Sequence, residues 1–241
     1  FTGSSTTPPA GTSPNSGSVT DLTAPGNTFP TASNNFGSGA GGLNFTTPVL
    51  FTGDDNANSV TGTEFADILS GRSGADFFDG GLGNDSISGD DGNDTLNGGG
   101  GSDTLNGGTG NDTLIGSLGT NVLNGGAGED VFVFSGTNAE GGDLITNYST
   151  ADDLISLDKT GFAAFTTGSG PLGSSFYVYS STVSITQLEL TLTGPSIMAL
   201  FDGASTKLYY DSNGSTVGGS SLFATVDVNL GVSGNSELFL F

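Results

Sequence analysis

Residues 98–115 read GGGGSDTLNGGTGNDTLI, two copies of a nine-residue unit that decides how this chain folds. The unit repeats nine times without a gap, from Gly53–Thr61 to Gly125–Val133, with another clean copy, GGLGNDSIS, at residues 80–88. Place six of the unit always holds an acid or its amide: Asn58, Asp67, Asp76, Asp85, Asp94, Asp103, Asp112, Asn121 and Asp130. Place eight is always apolar, running Val60, Leu69, Phe78, Ile87, Leu96, Leu105, Leu114, Leu123 and Phe132. Because places seven and nine are mostly polar, each unit reads as a six-residue loop followed by a three-residue, half-buried strand. The glycines at places one, two and four are expected to give the loop positive φ angles, turning its carbonyls toward one point. An Asp beside such carbonyls makes an all-oxygen donor set. Calcium takes six to eight oxygens at about 2.3–2.6 Å, whereas zinc and copper prefer softer ligands.

The pattern GGxGxDxUx, with U apolar, resembles the calcium-binding nonapeptide of the RTX (repeats-in-toxin), hemolysin-type family. The resemblance implies an all-β fold, a right-handed parallel β-roll in which two units make one turn. Unit n then lies over unit n+2, and their loops share a Ca2+ ion. Carried onto this chain, the carboxylate pairs are Asp67 with Asp85, Asp76 with Asp94, Asp85 with Asp103, Asp94 with Asp112, and Asp112 with Asp130. Asn58 with Asp76 and Asp103 with Asn121 make two weaker pairs. The first two units lack the glycine at place four and read as capping turns.

Composition alone would also suit a disordered Gly/Asn/Asp tract. Nine in-register units with an apolar side chain every ninth residue argue for the roll. Its core is one side chain deep, and its acids stack at about the 4.8 Å strand spacing, where like charges repel. Calcium binding and folding are therefore expected to be one event.

The chain has 241 residues, with three Lys and Arg against 25 acids and a net charge of −22. Phosphate binding needs clustered cations, so nucleic acid is excluded as a partner. More than half of the acids lie inside the repeats, where bound calcium would offset them. There is no His and no Cys, which removes Ser-His-Asp, Cys-His and His-ligated zinc chemistry and disulfide stabilisation. Only a carboxylate pair of the glycosidase kind remains open. No run of some 18 apolar residues is present to span a membrane. The sequence opens at Phe1 with no basic-then-apolar leader, which reads as a removed leader or a fragment.

Residues 1–50 are dominated by Ser, Thr, Gly, Pro and Asn and read as an extended arm. Apolar clusters at Val19–Leu22, Phe29, Phe36 and Leu43–Phe51 could grip a sheet edge, on this chain or on a neighbour. An arm passed from one chain to the next makes a contact that propagates as a fibre. Asn44-Phe45-Thr46 is a glycan acceptor pattern, and Ser4–Ser18 could carry O-linked sugars. Similar patterns at Asn84, Asn93 and Asn111 read as accidents of the loop sequence.

Residues 51–133 form the expected roll, and residues 134–241 a β-rich C-terminal region. Strand-like segments there are Asp153–Leu157, Phe176–Tyr179, Val183–Thr193, Leu208–Tyr210 and Leu222–Val228. GGDLITNYSTADDLISLD (141–158) and LYYDSNGST (208–216) resemble the segment that follows the roll in RTX proteins. Asp211, Asn213 and Ser215 read either as the start of a further calcium loop or as a plain hairpin turn. Glu237 followed by Leu238–Phe241 resembles a type I secretion signal, although a last core strand would look the same.

Three functions compete. The first is a secreted, non-enzymatic calcium-binding structural protein at a bacterial surface, self-associating as filament, surface layer or matrix fibre. The second is the secretion and folding module of a larger exoenzyme. The third is a carbohydrate-binding β domain with Tyr148, Tyr177, Tyr179 or Tyr209 stacking on sugars, against the plainer reading of these rings as sheet or core residues.

Overall fold

The computed structural model describes residues 34–35, 48–135, 142–158, 170–171, 176–179, 196–202, 204–211, 220–227 and 238–240. Among these the chain is all β. The repeat supplies β1 (Asn34–Asn35), β2 (Leu50–Thr52), β3 (Ser59–Thr63), β4 (Ile68–Ser70), β5 (Phe77–Gly81), β6 (Ser86–Asp91) and β7 (Thr95–Gly100) with its flank. It continues through β8 (Thr104–Thr109), β9 (Thr113–Leu118), β10 (Val122–Ala127) and β11 (Val131–Phe134). Then follow β12 (Asp143–Thr146), β13 (Leu154–Leu157), β14 (Gly170–Pro171), β15 (Phe176–Tyr179), β16 (Ser196–Phe201), β17 (Thr206–Asp211), β18 (Ser220–Val226) and β19 (Leu238–Leu240).

Strands alternate between two sheets. One is ordered β1-β3-β5-β7-β9-β11-β13-β19-β14, the other β15-β16-β17-β18-β12-β10-β8-β6-β4-β2. Within the repeats every pairing is parallel and offset by 18 residues, as in Leu96 with Leu114 and Ile87 with Leu105. Two nine-residue units thus make one turn of a parallel solenoid of about five turns, the β-roll architecture.

The alternation read from sequence is the burial pattern observed. The place-eight side chains from Val60 to Phe132 are all 0–1% exposed and meet between the sheets. Phe51 packs edge-on against Phe78 across that interface at 5.8 Å, and Phe134 against Phe223 at 5.4 Å. The central strands are six residues long rather than three. Each runs on through places one to three of the following unit, because the turn above carries the same residues in the same register and its backbone can pair with them.

The parallel stacking runs on beyond the repeats. β12 pairs with β10, β13 with β11, β18 with β12 and β19 with β13, all parallel. At β18 the second sheet turns antiparallel through β17 and β16. At the other end, Asn34–Asn35 of the arm pairs parallel with Val60–Thr61 of the same chain. The Val183–Thr193 segment, most of the arm with Asn44, and Asn213 and Ser215 lie outside the described residues.

With one apolar side chain per strand, each layer depends on its own residue. Leu105→Ala in the calcium-loaded protein is expected to cost about 2–5 kcal/mol, read from denaturant melts. A change within ~0.5 kcal/mol, the usual range of a surface substitution, would contradict a core this thin.

Candidate metal-binding ladders

The loops place the place-six side chains along two edges of the roll. All but Asn58 accept, through Oδ1, the backbone N–H of the residue 18 positions, or one turn, earlier. On one edge Asn58, Asp76, Asp94 and Asp112 donate to Asp76, Asp94, Asp112 and Asp130 at 2.7, 2.8, 2.8 and 3.0 Å. On the other, Val49 donates to Asp67, Asp67 to Asp85, Asp85 to Asp103, and Asp103 to Asn121, at 2.6, 2.7, 2.8 and 2.9 Å. Every pair expected from the sequence is thereby joined, but through a backbone amide on one side rather than two carboxylates face to face.

These side chains are buried, with Asp67 to Asp130 and Asn121 at 0–3% exposure, while Asn58 is half-buried. In Asp76, Asp85, Asp94, Asp103, Asp112 and Asp130 the second oxygen, Oδ2, has no hydrogen-bond donor. Burying a carboxylate oxygen with neither donor nor cation is costly.

The place-one glycines show where Oδ2 points. A Cβ on Gly71, Gly80, Gly89 or Gly107 would collide with Oδ2 of Asp76, Asp85, Asp94 or Asp112 and with the carbonyl oxygen of the place-one glycine one turn on. Carboxylate and carbonyl oxygens thus converge on a cradle that glycine alone leaves open. This corrects the expectation for place one, which is not in the positive-φ region; the space, not the angle, demands glycine. Positive φ is confined to places two and four, as at Gly99 (93°) and Gly101 (139°).

Place two also admits Arg72, Asp90 and Ser117 at φ of 67–74°. Asp90 is held by the hydroxyls of Ser70 and Ser88 and the N–H of Arg72. Burial pushes its carboxyl up, but these three donors outweigh it and leave the pKa below the ordinary value.

Among the described residues no three acidic side chains form one cluster. A cation held here would draw on one or two carboxylates and complete its shell from backbone carbonyls, the hard-oxygen chemistry that suits calcium. The residues therefore fit calcium, with Asp76, Asp85, Asp94, Asp103, Asp112 and Asp130 supplying the charge.

Three of the sequence-derived candidates differ from these six. Asp67 accepts both the N–H and the hydroxyl of Thr63 on Oδ2, at 2.6 and 3.0 Å. Asn58 exchanges hydrogen bonds with Asp54. Asn121 donates its amide to Oδ1 of Asp143 at 3.0 Å, which also takes its N–H at 2.8 Å.

Asp143 and Asp153 were missed from the sequence. They carry the two edges one turn further, Asp153 accepting the N–H of Asp130 at 3.0 Å. Both precede Leu-Ile, matching places six to eight, but they stand 22 and 23 residues after their partners instead of 18, which hides them from a nine-residue search.

A parallel ladder runs at place five. Asn84, Asn93 and Asn111 accept the N–H groups of Ser102, Asn111 and Glu129 through their side-chain carbonyls. Tyr148 is buried at 4% exposure, donates its hydroxyl to the Asp153 carbonyl and packs on Phe132. It is a core ring, and this corrects its candidacy as a sugar-stacking platform.

These features define a parallel β-roll with hard-cation cradles along its edges. Residues 52–87, 79–114 and 106–136 match the family described as the RTX calcium-binding nonapeptide repeat (4 copies), and the repeat segment belongs to it. No curated protein matches the chain. Among solved structures, the chain is similar to the AlgE6R2 subunit of the Azotobacter vinelandii mannuronan C5-epimerase, at 18% identity and a TM-score of 0.36. That match covers 77% of this chain and 91% of the other.

The metal-free ladders titrate. Burial raises the pKa of Asp85 from 3.8 to about 7, and of Asp76 and Asp112 to about 6. Asp94, Asp103 and Asp130 shift upward for the same reason. A folded pKa above the unfolded one means that the folded state holds more protons. The resulting stability is complete below the unfolded value of 3.8 and is lost as pH rises through about 7. Calcium needs the ionised forms, so its apparent affinity moves the other way. In chelator, thermal melts should show more stable β structure near pH 4.5 than near pH 7.5, and calcium affinity should rise across that window. A metal-free roll that gains stability with rising pH would contradict this.

Proposed function

We propose that this chain is a secreted, non-enzymatic structural protein, a subunit of an extracellular assembly such as a filament, surface layer or matrix fibre, with calcium setting its fold. One observation carries the reading: buried carboxylate oxygens without donors, stacked along both edges of the roll. They have the geometry of permanent metal-filled joints rather than of a site that opens to substrate. The repeat segment is a calcium-binding β-roll and is not itself catalytic, and the chain has neither His nor Cys for nucleophilic or zinc chemistry elsewhere. Secretion fits the metal dependence, because calcium is abundant outside cells and scarce within, so the acidic repeats would stay unfolded until export.

Self-association would run through the arm by strand exchange, a neighbour's arm displacing the chain's own. Asn34–Asn35 adds to the edge of β3 in its own chain, and the arm of a neighbour would meet that edge in the same way. Sugars on Asn44 and on the Ser/Thr run would decorate this arm without obstructing the roll. A secretion and folding module of a longer exoenzyme is the second reading, favoured by the linker-like composition of residues 1–50. The mass of the native secreted polypeptide separates the two.

Electron microscopy of the native material with and without calcium tests the assembly directly. Regular filaments or sheets that dissolve on chelation are expected. Monodisperse particles under both conditions, at native concentration, would refute the structural reading.

A further inference from the structure

The carboxylate ladder that begins at Asp67 does not stop with the last nonapeptide. Asp143 stands one turn above Asn121, where its Oδ1 accepts the Asn121 N–H at 2.8 Å and the Asn121 side-chain amide at 3.0 Å. Asp143 is fully buried, and its Oδ2 receives no hydrogen bond, as in the turns whose cradles fit calcium. The partner edge ends differently. Asp153 also lies one turn beyond the repeats, but its Oδ2 takes the N–H of Ser149 at 2.8 Å, so the chain itself satisfies that oxygen.

The glycine below shows where the Asp143 oxygen points. The atom nearest to a Cβ on Gly116 would be Oδ2 of Asp143, at 2.5 Å, followed by Nδ2 of Asn121 at 2.6 Å. At Gly62, Gly71, Gly80 and Gly107 the corresponding atoms are Oδ2 of the unit's own Asp and the carbonyl oxygen of the place-one glycine one turn on. A carboxylate oxygen from the turn above thus enters the Gly116 cradle. Asn121 cannot turn its own oxygen inward, because Oδ1 is held by the Asp103 N–H at 2.9 Å. Its Nδ2 is spent on Oδ1 of Asp143, which leaves Oδ2 as the atom for a cation to neutralise. This step therefore holds one carboxylate where a step such as Asp76–Asp94 holds two, and ligand charge tunes calcium affinity.

We propose that Asp143 is a further calcium ligand, making a site at the Gly116 cradle one step past the nonapeptides, and that this site is the weakest on the roll. Asp143 lies beyond residue 136, where the match to the repeat family ends. Calcium held there ties the turn that opens β12 to the last repeats. Because β18 pairs with β12, the metal also anchors the antiparallel strands that follow. This rests on calcium binding by the repeats themselves.

The first test is calcium stoichiometry of the full chain by equilibrium dialysis at saturating calcium, for wild type, Asp143→Asn and the control Asp152→Asn. Asp143→Asn keeps an oxygen for the Asn121 N–H and removes the charge, so it should bind one calcium fewer than wild type. Asp152→Asn removes the same charge from an exposed position in the same segment and should bind as many as wild type. The second test needs no variant. Crystals of the calcium-loaded wild type should show anomalous density for a cation about 2.3–2.6 Å from Oδ2 of Asp143, and that peak should be the first to fade as calcium is lowered. If Asp143→Asn loses its fold, this density alone decides. An unchanged count in Asp143→Asn, an equal loss in the control, or filled interior cradles with no cation at Asp143 overturns the inference alone, as does an Asp143 peak that outlasts the interior ones. A wild-type chain that binds no calcium overturns the calcium reading and the inference with it.

Discussion

The structure depends on one contact, the backbone N–H of a place-six residue given to Oδ1 of the place-six Asp one turn on. It fixes the 18-residue register, because a shift of one residue would lose every rung and turn the place-eight side chains outward. It also creates the electrostatic problem. A carboxylate that spends one oxygen on the ladder buries the other, and repetition lines up like charges in a core too thin to offset their repulsion.

Calcium bound in the cradles resolves that problem. The glycines follow from the same contact. Place one must lack a Cβ because Oδ2 and the carbonyl of the next turn fill that space, whereas places two and four need the left-handed backbone. Place two makes both demands at Gly81, Gly99, Gly108 and Gly126, where a Cβ would also meet the carbonyl of the place-two residue one turn earlier, yet Arg72, Asp90 and Ser117 take the left-handed backbone there. Place one is glycine in all nine units.

Much of this was legible in the sequence. The apolar column from Val60 to Phe132, the two-unit turn and the 18-residue pairing follow from periodicity and from the resemblance to RTX repeats. What escaped has physical reasons. That place one demands glycine for space rather than for angle appears only when the neighbouring turn is in place. Thr63 and Asn121 look like ordinary departures from the consensus until their donors are seen on Asp67 and Asp143. Asp143 and Asp153 escaped because insertions lengthen the loops before them while the stacking continues. The strands were judged three residues long because glycine-rich segments have weak strand preference, which an identical neighbour in register overrides.

The central claim is that near neutral pH, where the buried carboxylates ionise, this roll holds its β structure only with its cations. Far-ultraviolet circular dichroism of the full chain near pH 7.5, before and after chelation and after calcium is restored, tests it most directly. The account predicts loss of the β signal on chelation and its full return with calcium. A β spectrum that persists unchanged in chelator would contradict it.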